Sequence, residues 1–96
     1  MKLVDRRRVE QDWTARGFSC DLWIDPPGRE WIDFVHGTDE LVMLLEGEEE
    51  FEMNGKKYRL SPGEELLIPA GTSHTARNVG TVTSRWLYGY KRKSEK

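Results

Sequence analysis

Only two histidines occur in the 96 residues, His36 and His74. Imidazole is the side chain best suited to ligating a metal or moving a proton near neutral pH. Each of the two follows a glycine-punctuated turn and stands at the end of a strand-like segment. Glu40 lies four residues after His36, across Gly37-Thr38-Asp39. Taken singly, a histidine in a strand is more often a packed or surface residue than a ligand. Cys20 is the only cysteine, so an intrachain disulfide is excluded. It sits in an alternating segment beside Leu22 and reads as a small buried hydrophobe rather than a nucleophile. The acidic run Glu46-Glu48-Glu49-Glu50-Glu52 is interrupted by Gly47 and alternates, so most of it is expected to face water. Trp86, Tyr88 and Tyr90 share one face of the last strand. They line a ligand site or pack against a second subunit or the N-terminal segment, and packing is the expectation. No G-x-S-x-G, P-loop or Cys-x-x-Cys motif is present.

The elements that must hold these groups are short. Asp5 caps a helix running to about Arg16, with Gly17 suited to its C-terminal turn. Val9, Trp13 and Arg16 fall near one face, so its apolar stripe is thin. From Phe18 the period becomes two: Phe18, Cys20, Leu22 and Ile24 alternate with Ser19, Asp21 and Trp23. Asp25-Pro26-Pro27-Gly28 ends that strand. Further strands are expected at Trp31 to His36, Leu41 to Leu45, Glu48 to Met53, Lys56 to Leu60, Leu66 to Ile68, His74 to Val79 and Thr81 to Tyr90. Asn54-Gly55 is a type I′ hairpin signal. Trp31 and Phe34 fit no simple common parity. Many short strands with turns between them mean an all-β barrel or sandwich, and no βαβ alternation is present.

Two motifs resemble those of the cupin family. The first has the form G-x5-H-x-H-x3-4-E-x6-G, and Gly28, Phe34, His36, Glu40 and Gly47 occupy its fixed positions. The second, G-x5-P-x-G-x2-H-x3-N, is matched by Gly63, Pro69, Gly71, His74 and Asn78 at every fixed position. Fifteen residues separate the motifs, which together span residues 28–78. The resemblance implies a single-domain jelly-roll β-barrel with a short N-terminal helix. With the helix and the charge run read from the residues, the chain is expected to divide into 1–17 as a helical segment, 18–90 as the barrel and 91–96 as a basic, solvated tail. In metal-binding cupins the two motif-one histidines, the glutamate and the motif-two histidine hold one ion. Here the first of those positions is Phe34, which cannot coordinate. The resemblance therefore implies a metal site of His36, Glu40 and His74. Two imidazoles and one carboxylate suit a divalent transition metal, Zn, Fe, Mn or Ni. Phe34 and Asn78 are expected to line the pocket beside it.

Fifteen basic and seventeen acidic residues give a net charge of −2, which argues against a nucleic-acid face. The longest apolar run, Leu41 to Leu45, is far below the ~20 residues of a membrane span. The lone thiol and the absence of a secretory signal pattern point to a cytoplasmic protein. Three features point to a homodimer: the small core of a 96-residue chain, Leu41 to Leu45 apolar at consecutive positions, and the Trp86/Tyr88/Tyr90 face. For function, the resemblance supports a cupin binding a divalent metal, a small organic ligand, or both. Two alternatives stand beside it: a metal-dependent enzyme of oxygenase or isomerase type, and a metal-free sensor or structural module. The enzyme would need an inward acid–base residue besides the ligands. Thr75 and Arg77 have the wrong parity relative to His74, so no catalytic residue is assigned.

Overall fold

The structure, a computed structural model, describes residues 4–92. Helix α1 (Arg6–Ala15) starts where the Asp5 carboxylate accepts the Arg8 N–H at 3.2 Å, satisfying one of the helix's orphan donors. It ends through Gly17 at φ +88°, with the Phe18 N–H on the Trp13 carbonyl at 2.8 Å. Trp13 is the one buried residue of the helix, as the thin stripe requires.

Eight strands follow: β1 (Asp21–Asp25), β2 (Glu30–Phe34), β3 (Glu40–Glu46), β4 (Glu49–Met53), β5 (Lys56–Arg59), β6 (Glu65–Ile68), β7 (His74–Asn78) and β8 (Ser84–Tyr90). They form two four-stranded antiparallel sheets in the orders β1-β8-β3-β6 and β2-β7-β4-β5. This is the expected all-β barrel with a short N-terminal helix. Asn54 and Gly55, at φ +53° and +75°, make the expected tight turn between β4 and β5. Three strand ends differ from expectation. Phe18 makes only an isolated bridge to Lys91, so β1 begins at Asp21. β2 stops at Phe34, which leaves His36 in a loop. β8 begins at Ser84 because the Asn78 side chain ties residues 79–83 into a turn: it donates to the Asp25 and Val82 carbonyls and accepts the Gly80 N–H.

The apolar run in β3 divides between two cores. Val42 and Leu44 point between the sheets, with Phe51, Met53, Ile68, Ala76 and Trp86. Leu41 and Met43 point outward, where Trp13, Phe18 and Leu87 cover them. The N-terminal segment is pinned there: the Trp13 indole donates to Glu65 at 3.0 Å, and Arg16 forks onto the same carboxylate with two contacts of 2.8 Å. A strand buried on both faces has no reason to alternate, so this run does not call for a second subunit. Trp86, Tyr88 and Tyr90 also turn inward and line the barrel cavity, correcting the expectation that they pack on the outside.

The charged segments are corrected too. Glu49 shares its face with Phe51 and Met53 and is 1% exposed, so the acidic run is not simply a wet surface. Glu50 and Glu52, on the other face, pair with Arg77 at 3.4 and 2.8 Å. The basic C-terminal stretch does not start as a free tail. The Lys91 N–H donates to the Asp39 carbonyl and the Arg92 N–H to that of Gly17, both at 2.8 Å. Residues 93–96 lie outside those described.

Candidate functional site

His36, Glu40 and His74 come from three different elements. Glu40 is the first residue of β3 and His74 the first of β7. Glu40 is paired with Tyr90 and Ile68, His74 with Phe34 and Met53. His36 sits between β2 and β3, and two bonds tie that loop to the Pro69-Ala70-Gly71 turn. The Gly71 N–H donates to the His36 carbonyl at 2.9 Å, and the Ala70 N–H to the Asp39 carboxylate at 2.8 Å. The turn that precedes His74 is thus fastened to the loop that carries His36, which is how residues 38 positions apart meet.

The meeting point is tight. One donor atom from each of the three lies within 4.8 Å of the others. Glu40 Oε1 is 3.5 Å from His36 Nε2 and 3.4 Å from His74 Nε2. His74 Nδ1 lies 3.2 Å from the Thr72 carbonyl. With the proton on Nδ1, Nε2 carries its lone pair into the centre, the usual support for a ligating imidazole. Burial works against a charged His74 ring, but Glu40 and the Thr72 carbonyl outweigh it and raise its pKa. Neither contact to Glu40 has the geometry of a hydrogen bond, and Oε1 is buried with no hydrogen-bond partner. A carboxylate oxygen left this way is costly. Two imidazole nitrogens facing such an oxygen form a donor set that fits a divalent transition metal.

Phe34, the last residue of β2, faces the site. Its ring stacks 6.1 Å from that of His36 and lies 6.4 Å from that of His74, and Phe34 itself is 40% exposed. Asn78, expected beside it, does not line the cavity; its side-chain amide ties the β7–β8 turn to the end of β1. Cys20 is half-buried against the outer core, and burial pushes its thiol up to about 11, consistent with an inert hydrophobe.

Behind the three donors is a cavity of about 270 Å³ walled largely by aromatic rings. Trp31 and Phe34 both face it although they are three residues apart. The β2–β7 register slips between them, with Asp33 at φ +56°. That bulge inserts one residue and restores a common face, resolving a parity that the bare pattern leaves undefined. Behind the wall, the indole N–H groups of Trp23, Trp31 and Trp86 all converge on the Asp25 carboxylate, at 2.8, 2.9 and 3.2 Å. Asp25 is fully buried. Next to it Glu49 accepts the Ser84 hydroxyl at 2.6 Å. Burial, opposed by Ser84 and reinforced by Asp25, pushes the Glu49 carboxyl up to about 8. Nothing in the local sequence of Asp25 or Glu49 announces this cluster, although the shared parity of Glu49 with Phe51 was a usable signal.

Tyr90 brings a proton-bearing hydroxyl into the cavity beside His36, a position that the local sequence does not announce. Its hydroxyl is 3.4 Å from His36 Nε2. Burial first, then Glu40 and Tyr88, pushes it up to about 12, so the phenol keeps its proton. Its cross-strand pairing with Glu40 puts the two on one face, a register the sequence does not display.

Comparison with known proteins agrees with this architecture. A curated relative, the polyketide synthase CurC of Streptomyces cyaneus, is 31% identical over 68 residues; the match covers 70% of this chain and 44% of that protein. The chain thus spans less than half the length of that relative. Among solved structures, a cupin superfamily protein from Desulfitobacterium hafniense superposes with a TM-score of 0.70 at 21% identity, covering 79% of this chain and 68% of that one. The DMSP lyase DddQ from Ruegeria pomeroyi gives a TM-score of 0.71 at 26% identity, over 83% of this chain and 41% of that one. The family model for the cupin domain matches residues 21–90, all eight strands, and on that match the chain belongs to the cupin domain family.

Proposed function

We propose that this cupin binds a divalent transition metal through His36, Glu40 and His74, and a small organic ligand in the adjoining cavity. The observation that carries this is the buried, unpartnered Glu40 Oε1 facing two imidazole nitrogens. A divalent ion bound with two His and one carboxylate keeps open positions, where it supplies Lewis-acid polarisation of a ligand oxygen or activation of water or O2. The protein's own groups have separate tasks. The Thr72 carbonyl orients His74, and the fastening of Gly71 to the His36 loop keeps both rings aimed at Glu40. The aromatic wall offers a ligand an apolar surface on the inner side. Elemental analysis after expression in metal-supplemented medium tests the metal. Zn, Fe, Mn, Ni or Cu is expected in wild type and lost in His74→Ala; wild type with none above background overturns the proposal.

A second function is favoured by Tyr90: a metal-dependent lyase, oxygenase or isomerase in which this phenol gives or takes a proton at the ligand. The proximity of its hydroxyl to His36 Nε2 supports it, as does the presence of a lyase, DddQ, among the similar structures. Tyr90→Phe would then keep the metal and lose turnover, while unchanged turnover removes the role. A reducing, cytoplasmic setting suits the single thiol. The homodimer keeps one of its three grounds, the small core. Sedimentation equilibrium at micromolar concentration tests it, and a mass near 11.2 kDa at every concentration overturns it.

A further inference from the structure

The polar and apolar groups of the cavity are segregated. Its polar side chains His36, Glu40, His74 and Tyr90 gather at one end. The other end is aromatic, and its indoles offer the cavity no donor. The three N–H groups of Trp23, Trp31 and Trp86 are drawn outward onto Asp25. The Tyr88 ring stands between the two ends, in contact with both Trp23 and Tyr90.

The wall is also locked in place. Trp23 meets Trp31 edge-to-face at 5.2 Å and 74°, and meets Tyr88 at 5.9 Å and 83°. Tyr88 meets Tyr90 at 5.8 Å and 70°. The exposed Arg29 guanidinium covers the Trp31 ring at 4.4 Å. Rings held by edge-to-face contacts and by a shared carboxylate cannot fold into the space, so the cavity is formed before a ligand arrives. A dry cavity of roughly 150 Å³ suffices for benzene. The ~270 Å³ here takes one substituted ring or two fused ones.

We propose that the cavity is a site for a planar, ring-bearing molecule whose single oxygen-bearing edge is turned toward His36, Glu40 and His74. Phenols, enols and aryl carbonyl compounds are the class. The orientation rests on the metal site proposed above; the ring preference does not. A sugar is disfavoured because the inner end has no hydrogen-bond partner for its hydroxyls, each of which would be buried unpaired. A flexible chain would pay rotamer entropy that a rigid ring does not.

The test uses the four indole N–H signals in the nuclear magnetic resonance spectrum of the full chain. Trp13 lies outside the barrel on Glu65 and serves as the internal control. Metal-free protein is titrated with benzamide, acetamide and tetramethylammonium. Benzamide is expected to shift the Trp23, Trp31 and Trp86 signals but not that of Trp13, and to bind at least tenfold tighter than the other two. Phe34→Ala, at the exposed mouth, is expected to weaken benzamide severalfold with the remaining signals in place. Equal affinities, or acetamide or tetramethylammonium binding more tightly, overturn the ring class. Zinc-loaded protein is then titrated with benzohydroxamate and acetohydroxamate, which share a chelating oxygen edge. A tenfold gain for benzohydroxamate over benzamide, lost in His74→Ala, supports the orientation. A ring preference without that gain overturns the orientation and the metal site while the ring class stands; two hydroxamates binding equally overturn the ring class while the metal site stands.

Discussion

Replacing Glu49 with glutamine changes one proton in a dry place. The carboxyl is 1% exposed and its pKa rises from 4.5 to about 8, with burial as the main cause. Below about pH 4.5 the folded and unfolded chains both hold the proton, and the neutral group costs folding nothing beyond its burial. Between about 4.5 and 8 the unfolded chain has released it and the folded chain has not. The unfolded state then binds fewer protons, so stability falls as pH rises, by ~1.4 kcal/mol per unit for one group. Over the whole interval the loss reaches at most about 5 kcal/mol. Glutamine matches the protonated carboxyl in size, still accepts from the Ser84 hydroxyl, and does not titrate. Urea unfolding of both proteins at constant ionic strength, at several points from about pH 5 to 8, reads the difference directly. The Glu49→Gln curve should gain on wild type steadily as pH rises. His74, whose pKa is also raised, contributes stability that is lost as pH rises in both proteins and cancels in the comparison. Two curves that stay parallel within about 0.5 kcal/mol would refute the assignment of a neutral carboxyl at position 49.

Asp25→Asn replaces a carboxylate that three indoles share with a group whose amide end can only donate. At least one buried N–H loses its acceptor, at about 1–3 kcal/mol each. A lower urea midpoint with red-shifted tryptophan emission is expected, and an unchanged midpoint would mean that water or the backbone takes over the bonds. Phe34→His places a third imidazole, and so a fourth ligand, 6.1–6.4 Å, ring to ring, from the two present and should tighten metal binding at least tenfold in calorimetric titration. Because Phe34 is 40% exposed, the cost to metal-free stability should stay within about 1 kcal/mol, less than a buried aromatic would lose; unchanged metal affinity would place position 34 outside the site.

The strands, the tight turn at Asn54-Gly55, the capped helix and the trio His36, Glu40 and His74 were all legible in the sequence. Period-two alternation, turn residues and caps act over a few neighbours, and the two spaced motifs carry the positions of the loops that bring distant residues together. What the sequence did not show is which side of a strand looks at which neighbour. The run Leu41 to Leu45 and the face Trp86, Tyr88 and Tyr90 suggested a subunit interface. The fold instead divides the run between the core inside the barrel and the α1-covered face, and gives the aromatic face to the cavity wall. Strand parity alternates, but its absolute sense depends on pairing register, and the bulge at Asp33 shifts it in mid-strand. Asp25 closed a turn in the sequence and gathers three indoles in the structure, contributed by residues from 2 to 61 positions away. Glu49 lay in an acidic run and is a buried acid because β4 turns that face inward. Tyr90 stands beside His36 only because β8 pairs with β3 at Glu40. Local chemistry decided what each segment becomes; only the closure of the barrel decided which side chains share the dry space inside it.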